Sequence, residues 1–155
     1  MRFPMFVMIS MAFSLVANAQ PSRKDSVLTN LRKAYPAVAW NEKSVTLADV
    51  NCDGKPETIL LGSEKSEVVI AIVSPKSQKK PQLFSFPISS ATQNGFCRMP
   101  VRIVVSPLEC ESDSGPLPGC KPTRSCKEFT VADDECDGFN FYWDSSRKSL
   151  AWWRH

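Results

Sequence analysis

Histidine is almost absent from the chain: the only one is the terminal residue, His155. A Ser–His or Cys–His pair therefore has no ready general base. The motifs G-x-S-x-G and H-E-x-x-H are missing as well. No C-x-x-C pair occurs, and with the lone terminal histidine this spacing does not indicate a zinc site. Neither sign of charge dominates: 19 Lys and Arg face 16 Asp and Glu, a net +3. That balance argues against nucleic acid or an anionic membrane as the main partner. No solenoid or propeller period is visible. These gaps leave catalysis with little support, and the expectation is a protein that is not an enzyme.

What is present begins with a leader. Met1-Arg2 precedes an apolar stretch from Phe3 to Val16, which ends in Ala17-Asn18-Ala19. A positive start, an apolar middle and an A-x-A site predict a secretory signal peptide over 1–19. The rival, a retained membrane anchor, needs about 20 apolar residues, and this stretch is shorter. No cysteine follows Ala19, so a lipoprotein anchor is not indicated. No later segment is apolar enough to span a membrane. Residues 20–155 then make one domain, periplasmic or secreted. All six cysteines fall in it: Cys52, Cys97, Cys110, Cys120, Cys126 and Cys136. An even count behind a signal peptide predicts up to three disulfides.

Val27, Leu28, Leu31 and Ala34 recur at helical spacing, so Ser26 to Ala34 predicts a short helix. Ser26 or Asp25 can cap it, and Pro36 blocks its continuation. Strand patterns follow at Ser44–Ala48, Thr58–Leu61 with a stop at Gly62, and Glu67–Ser74. Lysines in the turn 75–81 read as a solvated loop. Gln82–Ile88 suits a strand at an edge, or one ending at Pro87, and Val101–Val105 is a β-branched run. Pro107–Lys127 is aperiodic, ordered by its cysteines, and the natural place for an exposed recognition loop. Glu128–Val131, Phe139–Trp143 and Leu150–Arg154 complete the strands, the last two as a hairpin. The predicted fold class is mostly β (α+β with one short N-terminal helix), a single disulfide-stapled domain of about eight short strands.

The most informative stretch is Leu47 to Gly62. Oxygen-bearing side chains alternate at Asp49, Asn51 and Asp53, Gly54 follows, and Glu57 comes next. A hard cation such as Ca²⁺ wants six to eight oxygens, which a tight loop of alternate residues can supply. An EF-hand would need a Glu where Leu60 stands and would have helical flanks. The pattern D-x-N-x-D-G-x-x-E before an apolar strand resembles the calcium loops of FG-GAP/VCBS repeats. The resemblance spans 47–62 alone, so the propeller fold of those repeats does not carry over. It implies Asp49, Asn51, Asp53, Glu57 and the Lys55 carbonyl as ligands of a structural Ca²⁺. Glu57 stands where the repeats usually carry an aspartate. A β-turn whose Asp and Asn side chains bond their own backbone is the alternative.

Asp133, Glu135 and Asp137 echo the same spacing before Gly138. They form a degenerate relative of the loop, a second source of a carboxylate for it, or an acidic turn. Cys52 and Cys136 hold equivalent places in the two loops, which suggests that they pair. Phe139, Phe141 and Trp143 share one strand face and Tyr142 takes the other. Trp152 and Trp153 point opposite ways, so one of them, with Arg154, is a candidate contact for a protein or sugar partner. The expected function is a secreted or periplasmic calcium-stabilised binding module for a protein. An inhibitor or immunity protein against a cell-wall hydrolase or toxin is its specific form. The alternatives are a metal-dependent hydrolase and a structural envelope protein without a dedicated ligand.

Overall fold

The computed structural model describes residues 23–76, 80–91 and 93–154. The expected signal peptide, part of the 75–81 turn and His155 lie outside these. Among the described residues one α-helix, α1 (Arg23–Ala34), precedes eleven strands, and a single 3-10 turn (Glu42–Ser44) lies between the first two of them. In chain order they are β1 (Ala39–Trp40), β2 (Thr46–Ala48), β3 (Glu57–Glu64), β4 (Glu67–Val73), β5 (Gln82–Pro87) and β6 (Arg102–Pro107). Then come β7 (Glu111–Ser112), β8 (Gly115–Pro116), β9 (Lys127–Ala132), β10 (Phe139–Asp144) and β11 (Ser149–Trp153). The domain is mostly β, as its alternating patterns predict. The count exceeds eight because β1, β7 and β8 are two-residue pieces, too short to leave a periodic signal.

Three layers form. The first sheet runs β1-β3-β4-β5, with β2 beside β1 on the same flank of β3. The second runs β11-β10-β9-β6. Between the sheets lie Ile59 and Leu61 of β3 and Val68, Ile70 and Ile72 of β4. They pack against Phe129, Val131, Phe139, Phe141 and Leu150. The outer face of the first sheet carries Leu60, Val69, Ala71 and Val73, and α1 covers it with Val27, Leu28 and Leu31. β4 is thus buried on both faces, which is why its sequence is an unbroken apolar run.

The helix departs from expectation in three details. It starts at Arg23, Ala34 is exposed, and Ser26 Oγ donates to the Arg23 carbonyl from inside the first turn. β3 does not stop at Gly62 but continues to Glu64. A Cβ at Gly62 would meet Val38 Cγ1 at 2.5 Å and the Trp40 ring at 2.9 Å, so this glycine admits the Trp40 ring and ends nothing. At the β5 and β11 edges one side chain joins the sheets. Gln82 donates to the Leu150 carbonyl (3.0 Å) and accepts from the Leu150 N–H (3.2 Å).

Candidate functional site

The loop 49–57 closes through its own oxygens. Asp49 accepts from the N–H of Asp53 (3.1 Å) and, on its other oxygen, of Gly54 (2.9 Å). Asn51 Oδ1 accepts from the same Asp53 N–H (2.9 Å), and Asp53 Oδ1 from the N–H of Lys55 (3.0 Å). Cys52 and Gly54 turn left-handed, at φ 62° and 81°. Glu57, only 2% exposed, lies behind the loop. Its Oε2 accepts from Val50 (3.2 Å) and Asn51 (3.3 Å), and its Oε1 from Asn51 Nδ2 (2.7 Å). Burial pushes its pKa up, against these donors.

A cation from the protein already meets this loop. Lys76 Nζ is 2.7 Å from Asp53 Oδ2. This contact, ahead of any other cause, holds the Asp53 pKa below the ordinary value and raises that of Lys76. The sequence offers no cue to Lys76, which reads as one solvated lysine in a turn. Among the described residues, no group of three or more His, Cys, Asp or Glu gathers as a metal site. The donor set is nevertheless hard: Asp49 and Asn51 oxygens meet on the Asp53 N–H and the Asp53 carboxylate accepts from the Lys55 N–H, while Cys52 is held in a disulfide. Each oxygen accepting one N–H keeps a lone pair for a cation.

The disulfides are Cys52–Cys126, Cys97–Cys136 and Cys110–Cys120. The expected Cys52–Cys136 pairing is therefore overturned. β9 separates its ends: Cys126 precedes that strand and Cys136 follows it. Six residues of strand span roughly 20 Å. The Asp49 loop sits at the Cys126 end, where Lys127 also donates to the Asp49 carbonyl (2.8 Å). The second acidic cluster thus lends nothing to the first. Asp133, 4% exposed, accepts from Cys97 (2.6 Å), Arg98 (3.4 Å), Glu135 (2.8 Å) and Cys136 (2.6 Å). Burial raises its pKa, but these four backbone donors outweigh it and hold the carboxyl below the ordinary value. Asp134 pairs with Arg102 and Glu135 with Arg98.

The segment 108–126 lies on the outer face of the second sheet. Leu108, Leu117, Cys110 and Cys126 are buried against Tyr142, whose hydroxyl donates to the Pro118 carbonyl (3.2 Å). Gly119 presses so closely on Asp144 that a Cβ would lie 1.9 Å from its carboxylate. Between these anchors β7 and β8 form a hairpin whose tip, Asp113-Ser114, is exposed. Trp153 is half-buried in this outer cluster, while Trp152 is the exposed member of the pair. Arg154 donates to the carbonyls of Gln93 (2.5 Å) and Gly95 (2.7 Å). No helix among the described residues is long and apolar enough to cross a membrane. Comparison with protein-family models, with curated proteins and with solved structures finds no match.

Proposed function

We propose that this protein is an extracytoplasmic, non-enzymatic binding module that presents the loop 108–126 to a protein partner. An inhibitor or immunity protein against a cell-wall hydrolase or toxin is the specific form of this reading. Its support is one observation: 108–126 is anchored at both ends and exposed at its tip. Cys110–Cys120 closes it, Cys52–Cys126 fixes its exit, and Leu108 and Leu117 root it. A loop ordered in advance loses little entropy on docking, which is where affinity is gained. The buried carboxylates favour a structural role over catalysis. Glu57 and Asp144 spend their oxygens on donors within their own loops, and Asp133 spends its on the backbone of its own loop and of Cys97 and Arg98.

Calcium belongs to the proposal as a clip. Asp49, Asn51 and Asp53 would hold the ion, Glu57 would fix Asn51 from behind, and the ion would neutralise the clustered carboxylates. The partner claim is tested by capture from envelope and secreted fractions, followed by binding of the purified partner. The comparison protein has residues 111–119 replaced by a short Gly-Ser link. Capture of a partner by the native chain and its loss from the trimmed, still folded chain is the expected result. Equal capture by both would refute the loop as the recognition surface.

A further inference from the structure

A hollow of about 500 Å³ opens beside the end of β11, with no residue of the 108–126 loop in its lining. Gln93, Asn94, Asp137, Trp152 and Arg154 line it. Its volume falls within the ~300–1,000 Å³ typical of small-ligand sites. Trp152 is 39% exposed, whereas Trp40 is buried and Trp143 and Trp153 are half-buried. The indole is also fixed. Its ring stands edge-on to Phe86 (5.4 Å, 84°) and to Phe139 (5.3 Å, 72°). Arg154 lies 4.8 Å over the Phe139 ring and holds the 93–95 loop in place through the Gln93 and Gly95 carbonyls. A fixed indole beside hydrogen-bonding groups in one hollow offers a flat surface on which a ligand can stack.

The lining identifies the ligand by elimination. Trp152 is the single apolar residue, and the other four carry hydrogen-bonding groups. An acyl chain or an apolar peptide would strip water from those groups without replacing it. An anion would meet Asp137, and the only cation in the lining, Arg154, already spends Nη1 on two carbonyls. A neutral pyranose satisfies the whole set. Its C–H face covers an indole, and its hydroxyls both donate and accept. Asn94 and Gln93 offer amides of both senses, and Asp137 an acceptor. We infer that this hollow is a binding site for a neutral, pyranose-based oligosaccharide, with Trp152 as its platform and Asp137 and Asn94 as its hydroxyl partners. The site depends neither on calcium nor on the 108–126 loop.

The experiment follows the indole N–H signals by NMR while three probes are added singly to the full mature chain. The probes are the tetramer of β-1,4-linked N-acetylglucosamine, cellotetraose and maltotetraose. A saturable shift of the Trp152 signal with at least one probe is expected, with Trp40 undisturbed. Trp152→Ala should weaken that binding about tenfold or more, and Trp152→Phe less, because a smaller platform remains. Asp137→Asn should weaken it severalfold with the platform intact. Should Trp152→Ala fail to fold, Asn94→Ala and Asp137→Ala decide, since both positions are exposed. The proposal is overturned if no probe shifts Trp152 at up to about 10 mM, weaker than almost any specific site. It is equally overturned if binding persists unchanged in Trp152→Ala, or in both polar variants.

Discussion

Thr58 is 1% exposed on β3, and among the described residues its hydroxyl meets no hydrogen-bond partner. A buried, unsatisfied hydroxyl costs free energy that an isosteric methyl does not. Thr58→Val should therefore stabilise the fold by about 1 kcal/mol, read as a rise in melting temperature of a few degrees; a fall would mean the hydroxyl has a partner after all. Asp133 is the opposite case, because its four donors depend on its charge. Its folded pKa lies below the ordinary 3.8. The stability it contributes is thus present above the unfolded value and lost as pH falls through the folded one. Asp133→Asn should cost about 1–3 kcal/mol near neutral pH, and the deficit should shrink as the native carboxyl protonates. Urea melts at neutral pH and near pH 2.5 check this, and a deficit that does not change with pH would count against it. Glu57 has the reverse sign. Its folded pKa lies above 4.5, so its contribution declines as pH rises through that higher value. Neither buried acid was legible as such, since a sequence shows an acidic residue but not which backbone N–H groups a fold will turn toward it.

At the scale of elements, the strands that could be read are those whose surroundings are uniform. β4 shows as an apolar run because both its faces are covered, and β5 shows as an edge because Pro87 ends it. The β10–β11 hairpin declares itself by alternation, pairing Asp144 with Ser149 across the turn. What escaped is set by distant contacts. β1 exists because Trp40 finds space over Gly62, and β7–β8 because Cys110 and Cys120 hold their ends together. Cysteine spacing alone left the pairing open, and position within the two acidic loops misdirected it, since β9 holds those loops apart. The disulfides should differ in effect. Cys52–Cys126 has a sequence separation of 74, against 10 for Cys110–Cys120. Loop-closure entropy alone gives about 4 kcal/mol for the first and about 3 kcal/mol for the second. The element affected separates them more sharply. Cys110→Ser with Cys120→Ser should free amides 108–120 to exchange while the two sheets keep their protection. Cys52→Ser with Cys126→Ser should lower the melting temperature of the whole domain. Loss of protection throughout both sheets in the first variant would refute this division.

For the whole molecule, the Asp49 loop is where the layers meet. Arg23, at the start of α1, donates to the Pro56 carbonyl (2.6 Å). Lys127 and Cys126 tie the loop to the second sheet, and Lys76 reaches it from beyond β4. The alternate oxygens were legible because spacing carries them, but the lysine that faces them was not. That lysine decides how a cation should act. Asp53 has one carboxylate, and Lys76 and a calcium ion would compete for it. With a dissociation constant on the order of 10⁻⁴–10⁻³ M, about 10 mM Ca²⁺ should stabilise the fold by about 1.4–2.7 kcal/mol. For a domain of this size that is a rise in melting temperature of roughly 4–10 °C. Chelator should reverse the rise, and Asp49→Asn with Asp53→Asn should abolish it. Lys76→Ala sharpens the test. Removing the resident ammonium leaves the carboxylates uncompensated, so this variant should melt lower than the native chain in chelator. Freed of its competitor, the ion should then raise its melting temperature by more than it raises that of the native chain. Melts of the native chain that do not respond to Ca²⁺ would remove the ion from the account, and a smaller rise in Lys76→Ala would show that Lys76 supports the site and does not compete for it.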